Sequence, residues 1–311
     1  KGQIAIAGQQ IRSSGTLQGE SIALTADQAL AISNGSLDAT GNITLETQHE
    51  LTLDSSAQVI SHGGAVRAQS AQGQATVAAN VKSGAGITIL AQDDLNISGQ
   101  LTAATGDIQL TGANSKLTGT LLAQTGAIHV TAKTLDLASA AQAGTDINLT
   151  TQGDLTQRSS SQLRADGALS LNSTTGDLLL AGQSQAAGDV SLLAQQGNLH
   201  VQRGANGFGG IQSTAGGINA QAQDMSIDGA LIAQGGSVAL QAKQLTVNGQ
   251  LYATTAVNLD ADQSILQNND SQIISAGDLH VHSAKPVRTA NPEPGRIHSG
   301  QQGRRVASRC H

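Results

Sequence analysis

The carboxylates that come closest together are Asp93-Asp94 and Asp260-x-Asp262, the kind of pair from which general acid–base and metal sites are built. Neither has a basic or aromatic cluster beside it, and the other acids of interest follow glycines singly, at Asp107, Asp154, Asp177, Asp189 and Asp278. A Gly-Asp step suits a tight corner, because the Asp side chain bonds nearby backbone. Attack on a polysaccharide would need three or more ionisable groups converging in one groove. His280 and His282 flank Val281; with Leu279 and Val281 turned inward, both rings leave one outer face at period two. Two such rings can catch a metal ion, yet no third ligand is in view, and exposed strand positions explain them. Gly216-Gly217 and Gly235-Gly236 are not followed by the nonapeptide of calcium rolls. Cys310 stands alone, which excludes an internal disulfide and any cysteine-built zinc or iron–sulfur centre. No catalytic, cofactor-binding or metal residue is assigned, and the chain reads as a non-enzyme without a cofactor.

Three further features have a functional and a bland reading. The triplets Asn42-Ile43-Thr44, Asn96-Ile97-Ser98 and Asn148-Leu149-Thr150 match the glycosylation pattern, but outward Asn and Thr also solvate strand faces. The stretch Arg203 to Gly210 interrupts the surrounding pattern and holds Phe208, the chain's only Phe; it reads as an insertion that emerges as a side loop and is the best single place for a receptor contact. From Lys285 onward the pattern stops and Pro286, Pro292 and Pro294 appear, with Arg304-Arg305, Arg309 and Cys310. Residues 285–311 are expected to be a basic, disordered tail, since prolines remove ladder donors and little apolar surface offsets the ordering entropy. Without stacking aromatics or a fold, its basicity does not make a nucleic-acid site.

What must position these residues follows from composition. Of 311 residues only 12% are charged and 1% aromatic, with 37 Gly and 38% hydrophobic. An ordinary globular chain is about 25% charged. Aromatic rings supply much of a compact core and of a ligand pocket's lining, so an ordinary compact enzyme is disfavoured. The net charge of -6 is a sum: Lys285 to His311 carries six basic residues against Glu293 alone, leaving ten basic and 21 acidic groups before it. No window holds the ~18 consecutive apolar residues of a membrane span, and Lys1 opens directly into patterned sequence without a signal-peptide core.

A repeat dominates the chain. G-N-I-T-L-E-T from Gly41 recurs as G-D-I-Q-L-T from Gly106, G-A-I-H-V-T-A from Gly126, G-A-L-S-L from Gly167, G-D-V-S-L-L-A from Gly188, G-S-V-A-L-Q-A from Gly236 and G-D-L-H-V from Gly277. The first aliphatics, from Ile4, Ile22 and Ile43 to Val238, Val257 and Leu279, mark fourteen units with a mean step of about 21 residues. Ile87, Ile89, Leu95, Ile97, Leu101 and Ala103 show the internal pattern: aliphatics alternating by two in short runs, which means strands with one face in. Strands so short bury nothing alone, so successive units must stack and pair equivalent strands in parallel. The expected fold is all-β, a parallel β-helix solenoid of about fourteen coils over residues 1–284. Leucine-rich repeats, the main rival, require a helical segment and a different motif. Asn34-Gly35, Asn248-Gly249 and Asp228-Gly229 mark corners, where positive φ is expected.

These units, G-[ND]-[IL]-x-[LV]-x-A followed by L-x-[IL]-x-G-x-L-x-A, resemble the filamentous haemagglutinin repeat over roughly Gly2 to Ser283. The resemblance implies a right-handed β-helix and the shaft of a large exoprotein of Gram-negative bacteria, exported by two-partner secretion to the cell surface. It implies as partners the outer-membrane transporter, acting through an N-terminal domain not evident here, and a receptor on a host cell or a neighbouring bacterium. The expected function is a structural and adhesive shaft segment. The alternative is the stalk of a contact-dependent growth-inhibition toxin whose toxin domain lies elsewhere, and the least favoured is a carbohydrate-active β-helix.

Overall fold

A computed structural model of the chain describes residues 2–204, 210–268, 270–289 and 297–299. Among these residues the regular elements are all strands, paired in parallel as a β-solenoid of about 13 turns, which is the expected parallel β-helix. Two compact units divide it, Lys1–Thr150 and Thr151–His311.

A turn is three strands and three corners. In the first unit the turn opening at Ile87 consists of Ile87–Ala91, Leu95–Ile97 and Gln100–Ala103. Ile87, Ile89, Leu95, Ile97, Leu101 and Ala103 all point inward at 1% exposure or less, while the alternate strand residues Thr88, Leu90, Asn96 and Thr102 face out. Each aliphatic sits directly on its counterpart: Val66 on Ile87 and Ile87 on Ile108 in the first strands, Ala75 on Leu95 in the second, Val81 on Leu101 in the third. Where the first corner straightens, two strands run on as one, as in Ile22–Ile32, Ile108–Leu117 and Ile128–Leu137.

In the second unit the same row runs Leu169, Val190, Ile218, Val238, Val257, Leu279, every step in register. Burial of one such Leu, Ile or Val side chain is worth about 1.5–3 kcal/mol, so the aliphatic rows supply the main stabilising term. The column also admits hydroxyls where strands end against a neighbouring turn. Ser61 Oγ donates to the Gly41 carbonyl at 2.7 Å, Ser173 Oγ to Gly153 at 2.8 Å and Ser213 Oγ to Gly188 at 2.7 Å. Gln157, 1% exposed, takes an aliphatic position and bonds Ser184 Oγ at 3.1 Å and the Gln183 carbonyl at 3.3 Å. Ser61, Ser173, Ser213 and Gln157 are tolerated in the column because each finds a partner, whereas the buried hydroxyls of Ser115 and Ser139 have none.

The corners correct one expectation. Asn34, with φ 50°, is the only non-glycine residue of positive φ among the described residues, and Gly35 and Gly249 do not adopt it. The corner glycine at Gly249 is required by stacking instead: a Cβ there would fall on the Gly229 carbonyl oxygen of the turn beneath, as one on Gly119 would fall on that of Gly99. The backbone explains the closeness, since the N–H groups of Asn248 and Gly249 both donate to the Ile227 carbonyl at 2.8 Å.

The long step of the second unit lies at the corner between second and third strands. Residues 202–209 separate Leu199–Val201 from Gly210–Ser213, where the next turn needs only Asp228-Gly229 between Asp224–Ile227 and Ala230–Ala233. Gly210, read from sequence as part of the insertion, belongs to a strand and pairs with both Gln183 and Ala230; Phe208 lies outside the described residues. In the stretch expected to be a tail, Arg288–Thr289 pairs with Leu266–Gln267, and Ile297–Ser299 with Ile273–Ser275. The remainder from residue 300 onward lies outside the described residues.

Two outcomes check this account. Gly249→Ala should lower stability by about 1–3 kcal/mol in urea titrations, because the added methyl has backbone beneath it rather than a yielding side chain. Replacing residues 202–209 by an Asp-Gly dipeptide should leave the melting temperature essentially unchanged, and loss of the folded state would mean that the stretch is part of the turn.

Candidate functional site

Four of the five single acids that follow glycines, Asp107, Asp154, Asp177 and Asp189, have a common task. Asp107 Oδ1 accepts the Ala127 backbone N–H at 2.8 Å, Asp177 Oδ1 that of Asn198 at 2.7 Å and Asp189 Oδ1 that of Gly217 at 2.8 Å, in each case one turn further along. Asp154 does the same for Asp177 at 2.9 Å, and Asn42 for Ala65 at 2.9 Å. The residue after the glycine is thus an inter-turn cap. Asp278 is exposed, and its carbonyl accepts from Ser275 Oγ at 2.8 Å.

The paired candidates are also drawn into stacking. Asp94 Oδ1 accepts Asn114 Nδ2 at 3.0 Å, and Asn114 Oδ1 accepts Thr134 Oγ1 at 3.0 Å, a ladder up one corner of the first unit. Asp260 does not join Asp262 but faces His282 on the next turn, with Nδ1 2.8 Å from Oδ1. His280 and His282 are both exposed on the outer face, as the alternation requires. Among the described residues no group of three His, Cys, Asp or Glu could hold a metal ion. Among the described residues no helix is long and apolar enough to cross a membrane. Of the three glycosylation-pattern asparagines, Asn42 caps Ala65 while Asn148 Nδ2 lies 3.4 Å from His129 Nδ1.

Asp228 and Asn248, read from sequence as corner residues, belong to a polar cluster that the sequence did not reveal, at the corner of the second unit beside the 202–209 insertion. His200 Nε2 lies 2.5 Å from Asp228 Oδ2, while Asp228 Oδ1 accepts from Asn248 Nδ2 and from Ser226 Oγ at 3.3 Å. Asn268 in turn donates to Asn248 Oδ1. Burial alone would raise the Asp228 carboxyl, but the bonds from His200 and Asn248, the His200 charge and Ser226 together hold it below the usual carboxylate range. Asp54, at a corner of the first unit, is lowered chiefly by the hydroxyl of Ser56, 2.5 Å away. Fixed hydrogen bonds to the charged form produce such shifts.

Beside that cluster a groove of about 770 Å³ crosses the outer face of the third strands of the second unit. Gln183, Gln212 and Gln250 line it together with Gly210, Ala230 and Ile232. Arg164, Arg203, Asp228 and Asp270 border it, but they are spread over several turns, and Asp228 is already held by three donors. What this arrangement offers is hydrogen bonding to a bound surface rather than a proton-transfer pair.

The sign of the pH dependence follows from Asp228. A carboxyl depressed on folding contributes stability that is complete above its unfolded value, about 3.9, and that is lost as pH falls through the folded value. Asp228→Ala should therefore cost about 1 kcal/mol at pH 7. The gap to the parent chain should narrow below about pH 4; a gap in urea titrations that is constant or widens in acid would show that the cluster does not act through the ionised carboxylate. Comparison with family models, with curated proteins and with solved structures finds no match to this chain.

Proposed function

We propose that this chain is a shaft segment of a secreted bacterial surface exoprotein of the filamentous haemagglutinin type, a structural element that extends and presents binding activity. The observation that supports the reading is the β-solenoid itself: aliphatic rows stack in register through each unit, and the glycine-following acids cap the next turn instead of converging. A solenoid in which each turn contacts only its neighbours can be lengthened by repetition without redesign, which is what a spacer needs. The segment acts without catalysis. Export would run through the outer-membrane transporter of two-partner secretion, and the partner at the far end would be a receptor on a host cell or a neighbouring bacterium. No observation favours the toxin-stalk alternative over the adhesin.

Antibodies against the chain should label intact cells of the organism that encodes it, with the antigen sensitive to added protease; antigen confined to the cytoplasm would end this reading. Excising one whole turn, residues 87–107, sets Val66 against Ile108 and should leave surface labelling unchanged.

A further inference from the structure

The third strands of the second unit present two outward rows. The first row runs Gln183, Gly210, Ala230, Gln250, in register from turn to turn. Two rungs of this amide row are therefore missing, which leaves about 14 Å between the amides of Gln183 and Gln250 at the ~4.8 Å spacing of paired strands. One missing rung is dictated by packing: a Cβ on Gly210 would lie 2.5 Å from the Ala230 carbonyl oxygen. Ala230 is subject to no such demand, because Gln250 occupies the same position one turn on. The second row runs Gln212, Ile232, Tyr252, Ile274. Tyr252 has the only Phe, Tyr or Trp ring among the described residues, and it stands on the outer face, half-buried between two isoleucine rungs. A column packed with small aliphatics has no room for it inside, but nothing in the packing asks for a ring and two isoleucines outside.

We propose that this groove binds a neutral, polyhydroxylated chain, an oligosaccharide lying along the stack. A glutamine amide donates and accepts at once, as a sugar hydroxyl does; Gln250 Nε2 donates to Gln272 Oε1 at 3.1 Å, which leaves its oxygen and second N–H, with the Gln183 amide, for hydroxyls of either orientation. Ile232 in the groove lining, with the Tyr252 ring and Ile274 that continue its row beyond the lining, offers an apolar strip to the C–H face of a pyranose ring. Charge on the border is balanced, Arg164 and Arg203 against Asp228 and Asp270, which selects against a strongly charged polymer. An extended peptide would dock through a free sheet edge, but Gly210–Ser213 is paired on both sides, with Gln183–Ala186 and with Ala230–Ala233, so its backbone is already committed. The groove gives the segment a ligand of its own and does not depend on the shaft reading. A spacer that binds nothing would pass the surface-labelling test and fail the one below.

The chain reports on this site from its border, because Tyr252, next in row to the lining residue Ile232, is its only tyrosine and it has no tryptophan. Tyrosine fluorescence and its quenching by acrylamide would be followed in the full chain during titration to about 10 mM with cellohexaose, xylohexaose, maltohexaose or chitohexaose, a range that covers the weak affinities of shallow sites. A heparin hexasaccharide and a neutral Gln/Ser hexapeptide serve as comparison probes. The expected result is saturable protection by at least one of the neutral sugars and by neither comparison probe. Ala230→Gln restores the missing rung and should weaken that binding tenfold or more with the β-type circular dichroism unchanged; calorimetry on Gln183→Ala and Tyr252→Ala should show the same direction. No response to any of the four sugars, a response to the peptide or heparin probe alone, or binding indifferent to all three substitutions would overturn the proposal.

Discussion

One constraint governs this molecule: each turn must lie directly on the turn before, residue upon equivalent residue, with backbone hydrogen bonds running along the stack. Ile87 pairs with Val66 on one side and Ile108 on the other. Because the partner of every position is its own counterpart, a side chain is acceptable only if the counterparts above and below leave room for it, as Ala75 does for Leu95. Inside the column that means Ile, Leu, Val and Ala, with a Ser or Thr where a strand end brings a carbonyl within reach. At the corners it means glycine wherever a carbonyl of the turn beneath occupies the space of a Cβ, as at Gly249 over Gly229.

The same constraint decides what the charged residues can do. A carboxylate on a narrow outer face is a few ångströms from the next turn, and the nearest unpaired donor is that turn's backbone N–H. Asp107, Asp177 and Asp189 are used in this way. Histidines follow suit, His62 facing Asp38 at 2.9 Å and His282 facing Asp260 at 2.8 Å. Groups that in a globular enzyme would be free to converge on a pocket are here committed to holding neighbouring turns together. The low share of charge in the sequence is consistent with this economy.

Individuality appears where the stack relaxes. At the corner after Val201 the chain carries more residues than the next corner does, and there the polar cluster of His200, Asp228, Asn248 and Asn268 gathers. One strand further round, Gly210 and Ala230 interrupt a row of glutamines and open the groove. Both departures occur on the same stretch of the second unit, next to the one tyrosine, and they distinguish that stretch from otherwise similar turns.

The repeat, its step of about 21 residues and the period-two alternation were enough to determine a parallel β-helix and the inward set, because only stacked parallel strands bury aliphatics arranged in that way. The alternation alone assigns Ile87, Leu95 and Leu101 to the interior and His280 and His282 to the outer face. The Gly-Asp corners were visible too, but their partners were not, since the acceptor and the N–H that it caps are some 20 residues apart and meet only when the register is exact to one position. For the same reason Asp228 and Asn248 could be read as corner residues, but the ladder that they form with Asn268 could not. Corner glycines read as turn formers proved to be clearance for a carbonyl, a property of two adjacent turns and of neither alone. The groove is the furthest from the sequence, being made by side chains that Gly210 and Ala230 lack: a periodic sequence determines which residues stack, and only the stacked structure shows where a row has a gap.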